Sequence, residues 1–485
     1  MDNTHLNSMT LIPMFKSSIL LIIFLLFTST HTAQPNEKPN VVFILTDDLG
    51  YKDVGFNGCE DIATPNIDRI ASNGVKFTNG YVSYPVCGPS RAGLITGRYQ
   101  DRFGFSKNPL FAPKDPNMGL PLSEQTIPEY LDKSGYHSLA VGKWHFGAHP
   151  VFHPLNRGFD EFFGFLGGGH RYFPEEWTVK NIEEAKKETS EYRTRLLHNH
   201  TRVDETEYLT DALSRETVSF IDRNADRPFF IYLAYNAPHL PLQATEKYLK
   251  RYAHIKNRKR RIYAAMISAV DDGIGLVLNK LEEKGISENT IVIFMSDNGG
   301  PEHKNASEND PLKGGKGSLN EGGVRVPFAM QWPAKIKKGM VYTKPIISLD
   351  IFGSIVGNIS PEISTQNPID GVDLIPFLTG KKAGKPHAKL YWRKYIQEGK
   401  GMRSDNHKLV IKGSQNALYD LENDINETHN IKNKNPEKYN EMLTEWSKWQ
   451  SQLKEPAFLG LMEKERYNKK HPDRFESDES ENKKE

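Results

Sequence analysis

The chain reads as an α/β protein: a large, mostly parallel sheet sandwiched by helices, followed by a smaller antiparallel sheet and a helix. Three observations predict this. Residues 41–45, 228–235 and 290–295 are almost wholly apolar runs, the pattern of strands covered on both faces. Helical patterns stand between them, the longest from about 261 to 284. There Ile262, Met266, Ala269, Ile274, Val277, Leu278 and Leu281 keep helical spacing and Gly285 ends it. Past about residue 375 the elements shorten, with strands at 390–393, 408–411 and 417–420 between polar turns.

In chain order, residues 1–33 read as an export signal, with an apolar run at 19–27 after Lys16. That run is shorter than the roughly 20 residues a bilayer span needs, so stable membrane insertion is not expected. Residues 34–375 form the expected catalytic α/β domain. Within it a helix is expected at 123–134 with Ser123 as its cap, a strand at 137–141 and a helix at about 205–223. Residues 376–462 form the C-terminal α+β subdomain. Its helix starts at Asn435-Pro436 and presents Tyr439, Leu443, Trp446, Trp449 and Leu453 on one face, for docking against the sheet. The densely charged stretch 463–485 is expected to be a disordered tail. A formal net charge of +2 gives no reason to expect nucleic-acid binding. Two cysteines, Cys59 and Cys87, make no disulfide framework, so the fold must rest on its hydrophobic core.

Chemistry-bearing residues gather where strands end. Asp47-Asp48 and Asp297-Asn298 each follow a buried strand, which puts both pairs at the carboxyl edge of the sheet, where α/β folds bind ligands. Either pair alone is ordinary turn chemistry. Together they make an oxygen ligand set suited to calcium, and less well to magnesium. Cys87-Gly88-Pro89-Ser90-Arg91 opens a helix, so Cys87 sits at a helix N-terminus that favours developing negative charge. Lys143 and His145 flank Trp144, and an extended backbone would turn both toward one side. His239 lies between prolines just after a buried strand, and Lys316 lies in the Gly-rich run 313–323. Three carboxylates, a divalent ion and the cations Arg91, Lys143 and Lys316 leave a site of about +2, suited to an anionic ester. The loop Gly167-Gly168-Gly169-His170-Arg171-Tyr172-Phe173 brings cationic and aromatic groups suited to an acidic sugar, with His170 and Arg171 as the substrate contacts.

The run Cys87-Gly88-Pro89-Ser90-Arg91-Ala92-Gly93-Leu94-Ile95-Thr96-Gly97-Arg98 closely resembles the signature of the type I sulfatases. Gly142-Lys143-Trp144-His145, Pro238-His239-Leu240-Pro241 and the run from Gly315 to Gly323 resemble further motifs of that family, one by one. The resemblance covers about residues 39–430 and implies an alkaline-phosphatase-like fold. It implies that a maturation enzyme, formylglycine-generating or anaerobic, converts Cys87 to formylglycine. The hydrated aldehyde then attacks the sulfur of a sulfate ester. Asp47, Asp48, Asp297, Asn298 and the modified Cys87 would hold the metal. Arg91 would hold the hydrate; Lys143, His239 and Lys316 would neutralise the sulfate; His239 or Lys316 would protonate the leaving alcohol, and His145 would act as a base in sulfate release. The expected substrate is a sulfated carbohydrate, such as ulvan, carrageenan or a glycosaminoglycan, met in the periplasm or outside the cell. A phosphate or phosphonate monoester hydrolase of the same superfamily, or a non-catalytic binder of sulfated glycans, are the alternatives.

Overall fold

The first apolar run forms β1 (Asn40–Thr46), buried along its whole length. It lies at the centre of a ten-stranded sheet in the computed structural model, which describes residues 38–180 and 188–472. The next strands in the chain are β2 (Val75–Phe77), β3 (Gly80–Tyr81), β4 (His137–Lys143), β5 (Glu161–Phe165), β6 (Leu197–His198), β7 (Thr201–Arg202) and β8 (Phe229–Ala234). They are followed by β9 (Thr290–Ser296), β10 (Phe328–Gln331), β11 (Met340–Tyr342) and β12 (Ile346–Ile347). The C-terminal strands are β13 (Lys389–Lys394), β14 (Gly399–Ser404), β15 (His407–Lys412) and β16 (Gln415–Asp420). The large sheet runs β11-β2-β10-β9-β1-β8-β4-β5-β6-β7, β3 pairs with β12, and β13 to β16 form a separate sheet in sequence order. The five central strands, β9, β1, β8, β4 and β5, are parallel. Antiparallel strands appear only outside them, with β10 beside β9 and β6 beside β5.

The apolar runs are continuous because both faces of the sheet are covered. Val41, Phe43 and Leu45 enter one core, while Val42 and Ile44, on the opposite face of the same strand, enter the other. The first core takes the helices Cys87–Thr96, Ile127–Asp132 and Asp350–Ile359. The second takes Leu209–Asn224 and Arg258–Glu283.

Several boundaries depart from the sequence reading for local reasons. The helix expected at 123–134 spans only Ile127–Asp132, because Thr126, not Ser123, forms a capping box with Glu129. The longest helix begins at Arg258, since the Asn257 side chain accepts from the amides of Lys259 and Arg260. The helix expected from 205 begins at Leu209. Ahead of it the Glu205 carboxylate accepts from the amides of Thr206 and Glu207 and holds a turn.

The C-terminal sheet is a four-stranded antiparallel meander. Against it the helix Pro436–Gln450 buries Tyr439, Met442, Trp446 and Trp449, and the Trp446 Nε1–H donates to the Trp392 carbonyl at 3.1 Å. Trp392, Leu409 and Trp446 share a core with Phe77 and Tyr81 of the large-sheet side. The described residues accordingly form one compact unit. The charged stretch expected to be disordered from 463 instead begins in order. Lys464–Lys470 is helical with Tyr467 buried, and the Lys107 ammonium meets Glu463 at 2.5 Å. Residues 1–33, the expected export signal, and 473–485 lie outside the described residues.

Candidate active site

β1 and β9 are paired in register, Thr46 beside Ser296, so the residues that follow them emerge together. Asp48 turns out of β1 through a left-handed conformation, φ 68°, that few residues other than Gly, Asn and Asp adopt readily. Its amide donates to Asp297 Oδ1 at 3.3 Å, and the Asn298 side-chain amide donates to Asp48 Oδ1 at 2.7 Å. Cys87 is the first residue of the Cys87–Thr96 helix, 2% exposed and beneath this edge. One turn on, Arg91 is fully buried and its Nε donates to Asp297 Oδ2 at 2.8 Å. Cys59 and Cys87 are both free thiols.

Ligand atoms of Asp47, Cys87 and Asp297 lie within 4.8 Å of one another, as do those of Asp47, Asp48 and His239. Asp47 Oδ1 and Asn298 Oδ1 are buried acceptors with no hydrogen-bond partner. Such an atom costs about 1–3 kcal/mol if left unpaired, and two of them beside further carboxylates are met by a hard cation. The residues present therefore fit a divalent ion held by oxygen.

Lysines close over the carboxylates. Lys143, the last residue of β4, places Nζ 2.6 Å from Asp47 Oδ2, and Lys316 places Nζ 2.7 Å from Asp48 Oδ1. His239 Nε2 stands 3.7 Å from Asp48 Oδ2, and its Nδ1 is 2.7 Å from the Leu240 carbonyl. His145 does not arrive by strand alternation as expected, because β4 ends at Lys143 and His145 has φ 63°. Trp144 does turn away, into the first core, where its Nε1–H donates to the Phe152 carbonyl at 2.7 Å.

The field of these groups sets their protonation. Burial would raise the Asp47 pKa, but Lys143, His239 and Arg91 together hold it well below the usual carboxylate range. Burial and the Asp47 charge push Asp297 up to about 7. Burial, then Lys143 and Arg91, drive His145 far below the ordinary imidazole value, so it stays neutral at pH 7. His239 is also lowered, mainly by burial; burial works against the Lys316 charge too, but the negative groups around it, Asp48 foremost, together raise its pKa.

The Lys316 loop is fastened from the C-terminal sheet. Lys394 Nζ donates to the Gly317 carbonyl at 2.6 Å, and Lys313 Nζ to the Glu427 carbonyl at 2.8 Å. Glu321, at the end of the loop, receives Lys408 Nζ at 2.8 Å and the Tyr81 hydroxyl at 2.5 Å. Gly322 packs so closely that a Cβ there would fall 2.2 Å from the Gly314 carbonyl oxygen.

Two expectations for the substrate loop divide. His170 is fully buried, with Nδ1 2.9 Å from the Arg171 carbonyl and Nε2 2.8 Å from the Thr194 carbonyl. Burial pulls its pKa to about 4, and it does not face the cavity: His170 is a brace, not a substrate contact. Arg171 does line the cavity, paired with Glu176 at 2.8 Å. That cavity, about 570 Å³, rises from Asp48, His239 and Lys316. The sequence reading missed Asn108, whose Oδ1 accepts from the Gly88 amide at 2.9 Å, and the cavity-lining Tyr192, Arg193 and Lys304. Only Tyr192 left a trace. A Cβ on Gly169 would strike its ring at 2.5 Å, so the glycine run marks where that ring packs.

The sulfatase family model matches residues 39–359, about two thirds of the chain, a span that includes Asp47, Cys87, Lys143, His239, Asp297 and Lys316. The chain belongs to the sulfatase family. As a sulfatase it is a sulfuric ester hydrolase with the alkaline-phosphatase-like fold. The model of the N-sulphoglucosamine sulphohydrolase C-terminal region matches residues 315–455, spanning the Lys316 loop and the small sheet. It is 32% identical to the uncharacterized sulfatase YdeN of Escherichia coli over 78% of this chain and 72% of that protein. With mouse N-acetylgalactosamine-6-sulfatase it shares 34% identity over 72% of this chain and 68% of that one. Among solved structures, Ps i-CgsB in complex with k-i-k-neocarrahexaose superposes with a TM-score of 0.83 at 38% identity. The match covers 91% of this chain and 100% of that one.

Proposed function

We propose that this sulfatase removes sulfate esters from a sulfated carbohydrate, using formylglycine at residue 87 and one divalent ion, calcium rather than magnesium. A sulfated galactan of the carrageenan type is the first substrate to try, given the similarity to a protein crystallised with neocarrahexaose. One observation carries the reading: Cys87 lies at a helix N-terminus against Asp47 and Asp297, with open oxygen acceptors beside it. A cationic cavity rises above the same carboxylates.

When bound, the ion and the hydrated aldehyde would supply a low-pKa hydroxyl to attack sulfur and a second hydroxyl through which sulfate leaves. The chain's own residues do the rest. Asp47, Asp48, Asp297 and Asn298 would hold the cation, and Arg91, locked on Asp297, would steady residue 87. Lys143 and Lys316 present positive charge to the sulfate oxygens. Lys316, with its pKa driven far upward, carries its proton at neutral pH, and Lys316 or His239 is placed to protonate the leaving alcohol. His239 Nδ1 is committed to the Leu240 carbonyl, which aims Nε2 at the Asp48 side of the cavity. His145, neutral and with a buried Nδ1 free of any partner, is suited to take a proton at residue 87 during sulfate release. Export to the periplasm or beyond, and maturation by a formylglycine-generating or anaerobic enzyme, complete the proposal.

Mass spectrometry of the peptide carrying residue 87, run beside sulfate release from defined oligosaccharides, tests it. An aldehyde-bearing peptide and release from a sulfated glycan are expected. Full activity from protein with an unmodified thiol would overturn the nucleophile. Turnover of aryl sulfates with none of any glycan would overturn the substrate class.

A further inference from the structure

We propose that Arg193 and Lys304 form a second anion-binding subsite, specific for a sugar that bears a further sulfate or carboxylate beside the ring being desulfated. The proposal rests on the glycan-sulfatase reading above and narrows its substrate. The cavity floor already accounts for one sulfate, with Lys316 and His239 beside Asp48. Around the rim stand three more cations, Arg171, Arg193 and Lys304. Arg171 is neutralised by Glu176 at 2.8 Å. Among the described residues Arg193 and Lys304 have no ion-pair partner, and Asp48 is the only carboxylate that lines the cavity. Two uncompensated charges therefore face a space of about 570 Å³, within the range of ligand-sized pockets. A neutral sugar around the cleaved ester would give them nothing to bind.

Both cations are exposed side chains on backbone that is tied to the floor through its neighbours, although 110 residues separate them in sequence. Lys304 precedes Asn305, whose buried side-chain amide donates to the Asp48 carbonyl at 3.2 Å. Arg193 lies between Tyr192, packed over Gly169, and Thr194, whose carbonyl meets His170 Nε2. The Arg171 amide donates to the Tyr192 carbonyl at 3.0 Å. The brace misread as a sugar contact thus positions the arginine beside it. Leu240, Pro241 and Pro301 add apolar surface to the same cavity.

The test uses Arg193→Gln, Lys304→Gln and the double variant. Each is assayed on a small aryl sulfate, a monosulfated oligosaccharide, and two oligosaccharides with the same cleaved ester plus either a second sulfate or a carboxylate on the adjacent ring. The double variant should lose about ten- to a hundredfold in kcat/KM on the doubly charged sugars. It should keep the aryl and monosulfated rates, and the two doubly charged arms show which anion the subsite prefers. Binding to a Cys87→Ser background, followed calorimetrically, should weaken in the same selective way. Equal losses on every substrate, or no loss on the doubly charged ones, would overturn the subsite. Should wild-type protein turn over no sulfate ester, the catalytic reading fails, while selective loss of binding in the Cys87→Ser series would still uphold the subsite.

Discussion

At the ends of β1 and β9, Asp47, Asp48, Asp297, Arg91, Lys143 and Lys316 lie together under a cavity. A short distance along the chain from Lys316, Glu321 is buried with Lys408, Arg325, Arg403 and Tyr81, between the large sheet and the meander. Both clusters bury several charges, yet they are finished differently. Each Glu321 carboxylate oxygen has a donor, Lys408 on Oε1 and Tyr81 on Oε2. Burial would raise the Glu321 pKa, but Lys408, Arg403 and Arg325 together bring it down to about 2 and keep it ionised. In the other cluster Asp47 Oδ1 and Asn298 Oδ1 are buried with no hydrogen-bond partner among the described residues, and Asp48 and His145 sit in left-handed backbone. A carboxylate with both oxygens met by cationic or hydroxyl donors holds two parts of a fold together, even though the neighbouring Glu427 keeps one buried oxygen open; open acceptors gathered at Asp47 and Asn298 are suited to a cation.

The comparison can be broken most severely at Cys87. Cys87→Ser should abolish turnover with circular dichroism and melting temperature intact, because one hydroxyl has no second hydroxyl to release sulfate; turnover near wild type would refute the nucleophile. Asp297→Ala should sharply reduce both metal occupancy and rate, and chelation of the native enzyme should do the same, with calcium restoring more than magnesium. Unchanged sulfate release after both treatments would dismiss the metal. Glu321→Gln should act on the fold instead. It leaves buried cations uncompensated and should destabilise by about 3–5 kcal/mol, a larger fall in melting temperature than Asp297→Ala shows in chelator. If the two variants exchange these phenotypes, the division between the clusters is wrong.

Lys394→Met removes the donor on the Gly317 carbonyl at 2.6 Å. It should lower kcat several-fold with KM nearly constant and cost about 1 kcal/mol of stability; an unchanged kcat would mean the loop holds Lys316 unaided. The smallest effect belongs to His387, whose Nε2 lies 2.6 Å from Asp350 Oδ1. Burial works against its charge, but Asp350 raises its pKa above the ordinary imidazole value. The stabilisation is then fully present below about pH 6.5 and is lost as pH climbs through the raised folded value. His387→Gln should flatten that part of a melting-temperature profile, and an unaltered slope would assign it to other groups.

Much of this was legible because the signals are local. Parallel strands buried on both faces must be apolar throughout, so β1, β8 and β9 stand out, and their polar ends name Asp47, Asp48, Asp297 and Asn298. The Cys87 helix shows itself through its proline and its run of small and apolar residues. The sequence by itself thus determined the sheet edge, the helix carrying Cys87 and the cations gathered near them. Only the tertiary structure decided what those residues meet. β14 was overlooked because Gly399-Lys400-Gly401 reads as turn until β13 and β15 pair with it. His170 was misjudged because loop composition does not say whether a ring faces a cavity or two carbonyls. Glu321 was recognised as part of a motif, but Lys408 lies 87 residues away and Tyr81 240. Asn108, Arg193 and Lys304 carry no periodicity at all. A pattern along the chain records secondary structure and the ends of strands; which distant charge closes on which depends on how the layers pack, and no local spacing encodes that.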